Sequence, residues 1–173
     1  TITLLNASRL HSEGGTAGKL FVSSGMGGMS GAQTKAAVIA GLVVVVAEIN
    51  PQALGKRHKQ GWVDEIYPDL DELIERILKA QKNKEAVSMC FQGNIVDLWE
   101  KLAEKNIKVD LGSDQTSLHN PFAGGYYPAG LSFDEANEMM ATQPELFKGK
   151  VYESLKRQVD AINKLTAQGM YFW

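Results

Sequence analysis

Short apolar runs and amphipathic stretches alternate along this chain. Residues 42–47 form a continuous apolar run dominated by valine, the pattern of a strand covered on both faces. Shorter runs at 19–23, 63–67, 86–91 and 108–112 read as further strands. Between them the period lengthens to that of a helix. Residues 31–41 are helical in character, and Gly41 stands where a helix C-terminus wants a residue free to take positive φ. Pro51 sits at a first helical position, opening a helix that ends near Gly61. In the next helix Leu70, Leu73, Ile74, Ile77 and Leu78 share one face, and in residues 94–105 Ile95, Leu98 and Leu102 point inward.

Beyond the fifth strand the pattern changes. "SDQTSLHNPFAGGYYPAG" is a long loop rich in turn formers and hydroxyls. Ser132 and Glu135 then stand in capping-box spacing, opening a helix. From Pro144, Val151, Leu155, Val159, Ile162 and Leu165 mark a long C-terminal amphipathic helix. Residues 1–18, around "HSEGGTAG", read as a loop or linker, so the 173 residues make one domain. Strands alternating with helices imply an α/β fold: a Rossmann-like, doubly wound parallel sheet with helices on both faces. The expected strand order is 3-2-1-4-5.

In such sheets the ligand crevice lies beyond the carboxyl ends of the strands. The polar and glycine-rich segments of this chain fall there. "SSGMGGMSG" follows the first strand, and Gly25, Gly27, Gly28 and Gly31 approximate a dinucleotide-binding turn. Such a turn needs positive φ at one position and bare backbone N–H groups at another, with a helix N-terminus behind them to receive phosphate. Ser30 occupies the third glycine position of that motif. Glu48 ends the second strand, where an acid can accept hydrogen bonds from ribose hydroxyls and repel a 2′-phosphate. Asn94, after the fourth strand, suits either a helix cap or a ligand contact. The two tyrosines Tyr126 and Tyr127, between glycines and a proline, suit an aromatic wall or a loop packed on its own domain.

Composition narrows the classes. A net charge of −2 supplies no field that calls for nucleic acid or an anionic membrane. The one basic cluster, residues 56–59, reads as a solvated helix face. A single cysteine, Cys90, allows no internal disulfide and, with no export signal, places the chain in the cytoplasm. Cys90 lies in an apolar run and reads as a buried strand residue rather than a nucleophile. No metal site is expected. Residue chemistry alone leaves an NAD-dependent dehydrogenase domain and a non-catalytic nucleotide-binding domain both open.

The strings "GMGGMSGAQ", "QGNIVDLWE", "SDQTSLHNPFAGGYYPAG" and "SLKRQVDAIN", in this order, resemble the urocanase family from about residue 19 to residue 173. The resemblance is to the central NAD-binding domain of a longer enzyme, which implies that this chain is a fragment. It implies hydration of urocanate to imidazolonepropionate in histidine degradation, by a homodimer. NAD⁺ is held tightly there and its nicotinamide ring serves as an electrophile rather than a hydride carrier. Cofactor contacts of the family fall on Gly28, Met29 and Ser30, on Glu48, on Asn94 and Ile95, on Gln115, Thr116, Ser117, Leu118 and His119, and on Tyr126 and Tyr127. Many bacterial members carry an arginine where this chain has Ala53, and Arg57 is the nearest substitute. The family's active-site cysteine matches no position here, so no catalytic residue is expected in this chain.

Overall fold

The computed structural model describes residues 1–11, 14–28, 30–114 and 120–173. In chain order the elements are α1 (Ile2–His11), β1 (Leu20–Ser24), α2 (Gly31–Ile39), β2 (Val43–Ala47), α3 (Pro51–Lys59), β3 (Glu65–Tyr67) and α4 (Leu70–Asn83). They continue with β4 (Val87–Phe91), α5 (Ile95–Glu104), β5 (Leu111–Gly112), α6 (Phe133–Thr142), α7 (Pro144–Ala167) and β6 (Tyr171–Phe172). The strands form one parallel sheet in the order β3-β4-β2-β1-β5-β6.

Every residue of β1, β2 and β4 is buried, as continuous apolar runs require. Alternation along each strand divides the core. Leu20, Val22, Val43, Val45 and Met89 pack with α4, α5 and α7. Phe21, Val44, Val46 and Cys90 pack with α1, α2 and α3 on the other face. Local chemistry fixes the helix ends. After α2 the Leu42 N–H reaches the Ala37 carbonyl and the Gly41 N–H the Val38 carbonyl, with Gly41 at φ +81°. Asn50, Asp69 and Asn94 cap α3, α4 and α5, and the Ser132–Glu135 capping box opens α6. Among the described residues no helix is long and apolar enough to cross a membrane.

The structure corrects several expectations. The order 3-2-1-4-5 is wrong: β4 inserts between β3 and β2. The burial of the two strands explains this. The five residues of β4 are all buried and need a neighbour on each side, whereas β3 is three half-buried residues. An edge position suits β3, whose Glu65 binds Arg76 in a two-pronged ion pair.

Residues 1–18 are not simply loop, because α1 occupies Ile2–His11. Its apolar stripe is narrow, with Leu4 and Ala7 docked on the core, so tertiary packing rather than intrinsic pattern holds it. The long helix α7 is followed by β6, too short to announce itself by periodicity. It is held by ring contacts: Trp173 stacks on Phe21 at 5.7 Å and Phe172 meets Trp99 edge-on at 6.1 Å. Two residues expected on inward faces are exposed, Leu78 at 49% and Val159 at 54%. On α7 the inward positions near Val159 belong instead to Ser154 and Gln158, both buried.

Candidate functional site

Helices α3 and α5 leave the adjacent strands β2 and β4 toward opposite faces of the sheet. The loops after these strands therefore part, and a crevice opens at the carboxyl edge. A cavity of about 720 Å³ occupies it. Its floor is the ends of β1, β2, β4 and β5, and its roof is the tyrosine loop with α7. Gly25, Gly27, Gly28 and Ser30 line it, as do Glu48, Asn94, Ile95, Tyr126 and Tyr127. Thus the expected contacts that are described all converge. Met29, Gln115, Thr116, Ser117, Leu118 and His119 lie outside the described residues.

The glycines of the turn have different tasks. Gly25 holds φ +82°, its N–H donates to the Ala47 carbonyl at 2.8 Å, and a Cβ there would stand 2.9 Å from Ser30 Oγ. Gly28 has no left-handed φ, and among the described residues a Cβ on it would meet nothing within 4 Å. Conformation thus demands glycine at Gly25, while Gly28 leaves the approach from the cavity open. Gly31 is a packing glycine, where a Cβ would come within 3.1 Å of Arg57 Nε.

Behind the turn α2 begins. Ser30 Oγ accepts the Gly27 N–H at 3.0 Å and makes no cap bond to α2, whose first turn holds no acid. In that first turn the Gly31 N–H already goes to the Gly27 carbonyl at 3.2 Å and the Gln33 N–H to the Ser30 carbonyl at 3.0 Å, so what the helix start offers an anion is the positive end of its dipole rather than a row of free donors. An unobstructed glycine backbone at a helix N-terminus fits a pyrophosphate.

Arg57 holds the turn from behind. Its Nε donates to the Met26 carbonyl at 3.1 Å and its Nη2 to the Gly27 carbonyl at 2.8 Å, while the guanidinium lies over Trp62 at 4.4 Å. In the trans peptide the Gly28 N–H is antiparallel to the Gly27 carbonyl, and so points away from Arg57. The residue that was a candidate for an adenosine-side contact is therefore spent on orienting the turn. Ala53 is the ordinary third residue of a capped α3, its N–H reaching Asn50 Oδ1 at 3.3 Å.

Glu48 braces the same turn from the front. Oε2 accepts the Met26 N–H at 2.6 Å and Oε1 the Asn50 N–H at 2.7 Å. Burial pushes its carboxyl above the usual carboxylate range, against the pull of those N–H groups. The Ile49 N–H also acts on this carboxylate, and its four lone-pair sites still leave room for a hydroxyl donor. Asn94 does more than cap α5: Oδ1 accepts the Val96 N–H at 3.0 Å, and Nδ2 donates to the Tyr127 carbonyl at 2.8 Å. It ties the tyrosine loop to the sheet rim.

The two tyrosines separate in role. Tyr127 is an anchor, its ring beside Phe133 and Phe147 and its hydroxyl on Asn137 Oδ1 at 3.2 Å. Burial raises its phenol above the ordinary value. Tyr126 reaches the cavity and donates to Asp114 Oδ2 at 3.2 Å.

Asp114, at the end of β5, is the residue that sequence reasoning passed over, although it stands in the quoted "SDQTS". Its Oδ1 accepts from Ser24 Oγ at 2.8 Å and its Oδ2 from Gln158 Nε2 at 3.0 Å. Ser154 and Gln158, four apart on the inward stripe of α7, were a legible signal too: polar residues among core positions. Cys90 is wholly buried with its thiol pushed up by burial, in keeping with a strand residue.

A family model described as the urocanase Rossmann-like domain matches residues 1–173. The chain is 58% identical to a probable urocanate hydratase of Dictyostelium discoideum and 56% identical to one of Caenorhabditis elegans, in each case over 100% of this chain and 26% of the relative. It is 53% identical to the urocanate hydratase of Homo sapiens over 99% of this chain and 26% of that protein. The chain thus spans about a quarter of the length of these relatives.

Proposed function

The chain belongs to the urocanase family, and on that premise we propose that it is the NAD-binding domain of a urocanate hydratase, a hydro-lyase that converts urocanate to imidazolonepropionate in histidine degradation. The observation that carries the cofactor is the pairing of Gly28, unobstructed among the described residues, at the N-terminus of α2 with Glu48 at the end of the neighbouring strand. In this reading the turn receives the pyrophosphate and Glu48 receives the hydroxyls of the adenosine ribose. A carboxylate there disfavours a 2′-phosphate, hence NAD rather than NADP. The bound nicotinamide supplies an electrophile that no amino-acid side chain offers.

What this chain does is bind and orient. Arg57 and Glu48 hold the turn, with the Gly28 N–H directed away from Arg57. Asn94 fixes the tyrosine loop that covers it. Catalytic groups lie elsewhere in the intact protein, which we infer to be a cytoplasmic homodimer with no nucleic-acid or membrane partner.

The test is spectroscopic. The intact protein is expected to consume the ultraviolet band of urocanate with no net change in reduced-nicotinamide absorbance. Reduction of NAD by an alcohol or hydroxy acid would instead support a dehydrogenase domain, and binding without either signal a nucleotide-binding module.

A further inference from the structure

The described residues lining the cavity include two charged ones, Glu48 and Asp114, and both are acidic. A dinucleotide brings two negative phosphates into the same space. Glu48 has its reason in ribose hydroxyls; Asp114 needs another. With the adenosine ribose at β2 and the pyrophosphate at β1, the second nucleoside extends past β1 to the next strand, β5, where Asp114 stands. Ser24, Tyr126 and Gln158 all donate to this carboxylate, so its position is fixed by β1, the tyrosine loop and α7 at once.

Gln158 adds an independent sign that a ligand group belongs here. It is 4% exposed, its Nε2 is committed to Asp114, and its buried Oε1 has no hydrogen-bond partner among the described residues. A buried carbonyl oxygen left unpaired is costly, and a carboxamide N–H or ribose hydroxyl is the kind of donor it lacks.

We propose that Asp114 is a selectivity residue: its negative charge, held beside the nicotinamide end of the site, makes the protein prefer the oxidised, cationic ring over the reduced, neutral one. The inference rests on the reading of the cavity as an NAD site. The physical reason is Coulombic. The oxidised ring carries a positive charge that a fixed carboxylate stabilises, and the reduced ring carries none. For a protein that uses the ring as an electrophile, such a charge keeps the cofactor in its reactive form.

The experiment titrates NAD⁺ and NADH separately into the cofactor-stripped intact protein, unaltered and as Asp114→Asn, and compares the ratio of the two affinities. The expected result is a preference for NAD⁺ in the unaltered protein that shrinks by roughly tenfold in the variant. Equal loss of both affinities, or no change in either, would assign Asp114 a structural role and overturn the proposal. If Asp114→Asn does not fold, Asp114→Ser serves, since its hydroxyl still takes a hydrogen bond without charge. An unaltered protein that binds neither form would overturn the NAD reading itself, and the selectivity with it.

Discussion

Glu48 Oε2 accepts the Met26 N–H at 2.6 Å, so the acid at the end of β2 is built into the glycine turn at the end of β1. One side chain thereby couples the two parts of the proposed cofactor site. Glu48→Gln retains the shape but turns an N–H₂ toward one of two backbone donors. It is expected to weaken NAD binding by about 1.5–3 kcal/mol, the worth of a charged hydrogen-bond acceptor. Unchanged affinity by titration calorimetry would remove Glu48 from the ribose site.

The same residue sets a pH dependence. Burial raises the Glu48 pKa, so the protonated form is reached at a higher pH than for an ordinary carboxylate. NAD affinity that relies on the ionised form is expected to fall as pH drops through that raised value, and Glu48→Gln should flatten the profile. Stability runs the other way. A carboxyl whose folded pKa is raised contributes stability below its unfolded pKa, and the contribution is lost as pH rises through the folded pKa. Affinity and thermal midpoint measured across the acid range should therefore show steps of opposite sign attributable to this group.

Arg57→Gln removes the fork from the Met26 and Gly27 carbonyls. The apo protein should lose about 1–2 kcal/mol of stability, and NAD affinity should fall with it because the turn is no longer held. Arg57→Lys, which cannot bind both carbonyls as a planar fork, should recover only part of either loss. Full recovery by lysine would mean that charge, not geometry, is what the turn needs.

The isolated chain is expected not to hydrate urocanate. No cysteine lines the cavity among the described residues, and Cys90 is sealed in the sheet. Loss of urocanate absorbance with this chain alone would show that the catalytic groups are within it.

Much of this architecture was legible in the residues. The valine run of β2 and the largely apolar β4 announced a doubly covered parallel sheet, and parallel topology brought the residues at the strand ends to one rim. Strand order was not legible, because right-handed crossovers permit β4 on either side of β2, and only relative burial sends short β3 to the edge. Helix α1 and strand β6 were missed since each is held by tertiary contacts, Leu4 on the core and Trp173 on Phe21. Gln158 was overlooked because attention to apolar residues on α7 favoured Val159, the exposed neighbour. Arg57 read as part of a solvated basic face, and no local pattern foretells that it turns inward to two carbonyls 30 and 31 residues away.

Glycine at position 25 is a folding requirement. Gly25→Ala places a Cβ 2.9 Å from Ser30 Oγ at φ +82°. Strain of about 1–3 kcal/mol is expected, read as a lower thermal midpoint without ligand. An unchanged midpoint would show that the turn relaxes freely.

Gly28 isolates the binding claim, since it has no left-handed φ and a Cβ there meets no atom of the described residues within 4 Å. The direct measurement is NAD affinity of the intact protein carrying Gly28→Val, at a temperature where it is folded, beside its thermal midpoint without ligand. The midpoint should be close to that of the unaltered protein, while affinity falls more than about tenfold, a loss above roughly 1.4 kcal/mol, because the branched side chain stands where a phosphate oxygen must approach. Full affinity in Gly28→Val would contradict a pyrophosphate lying against this turn.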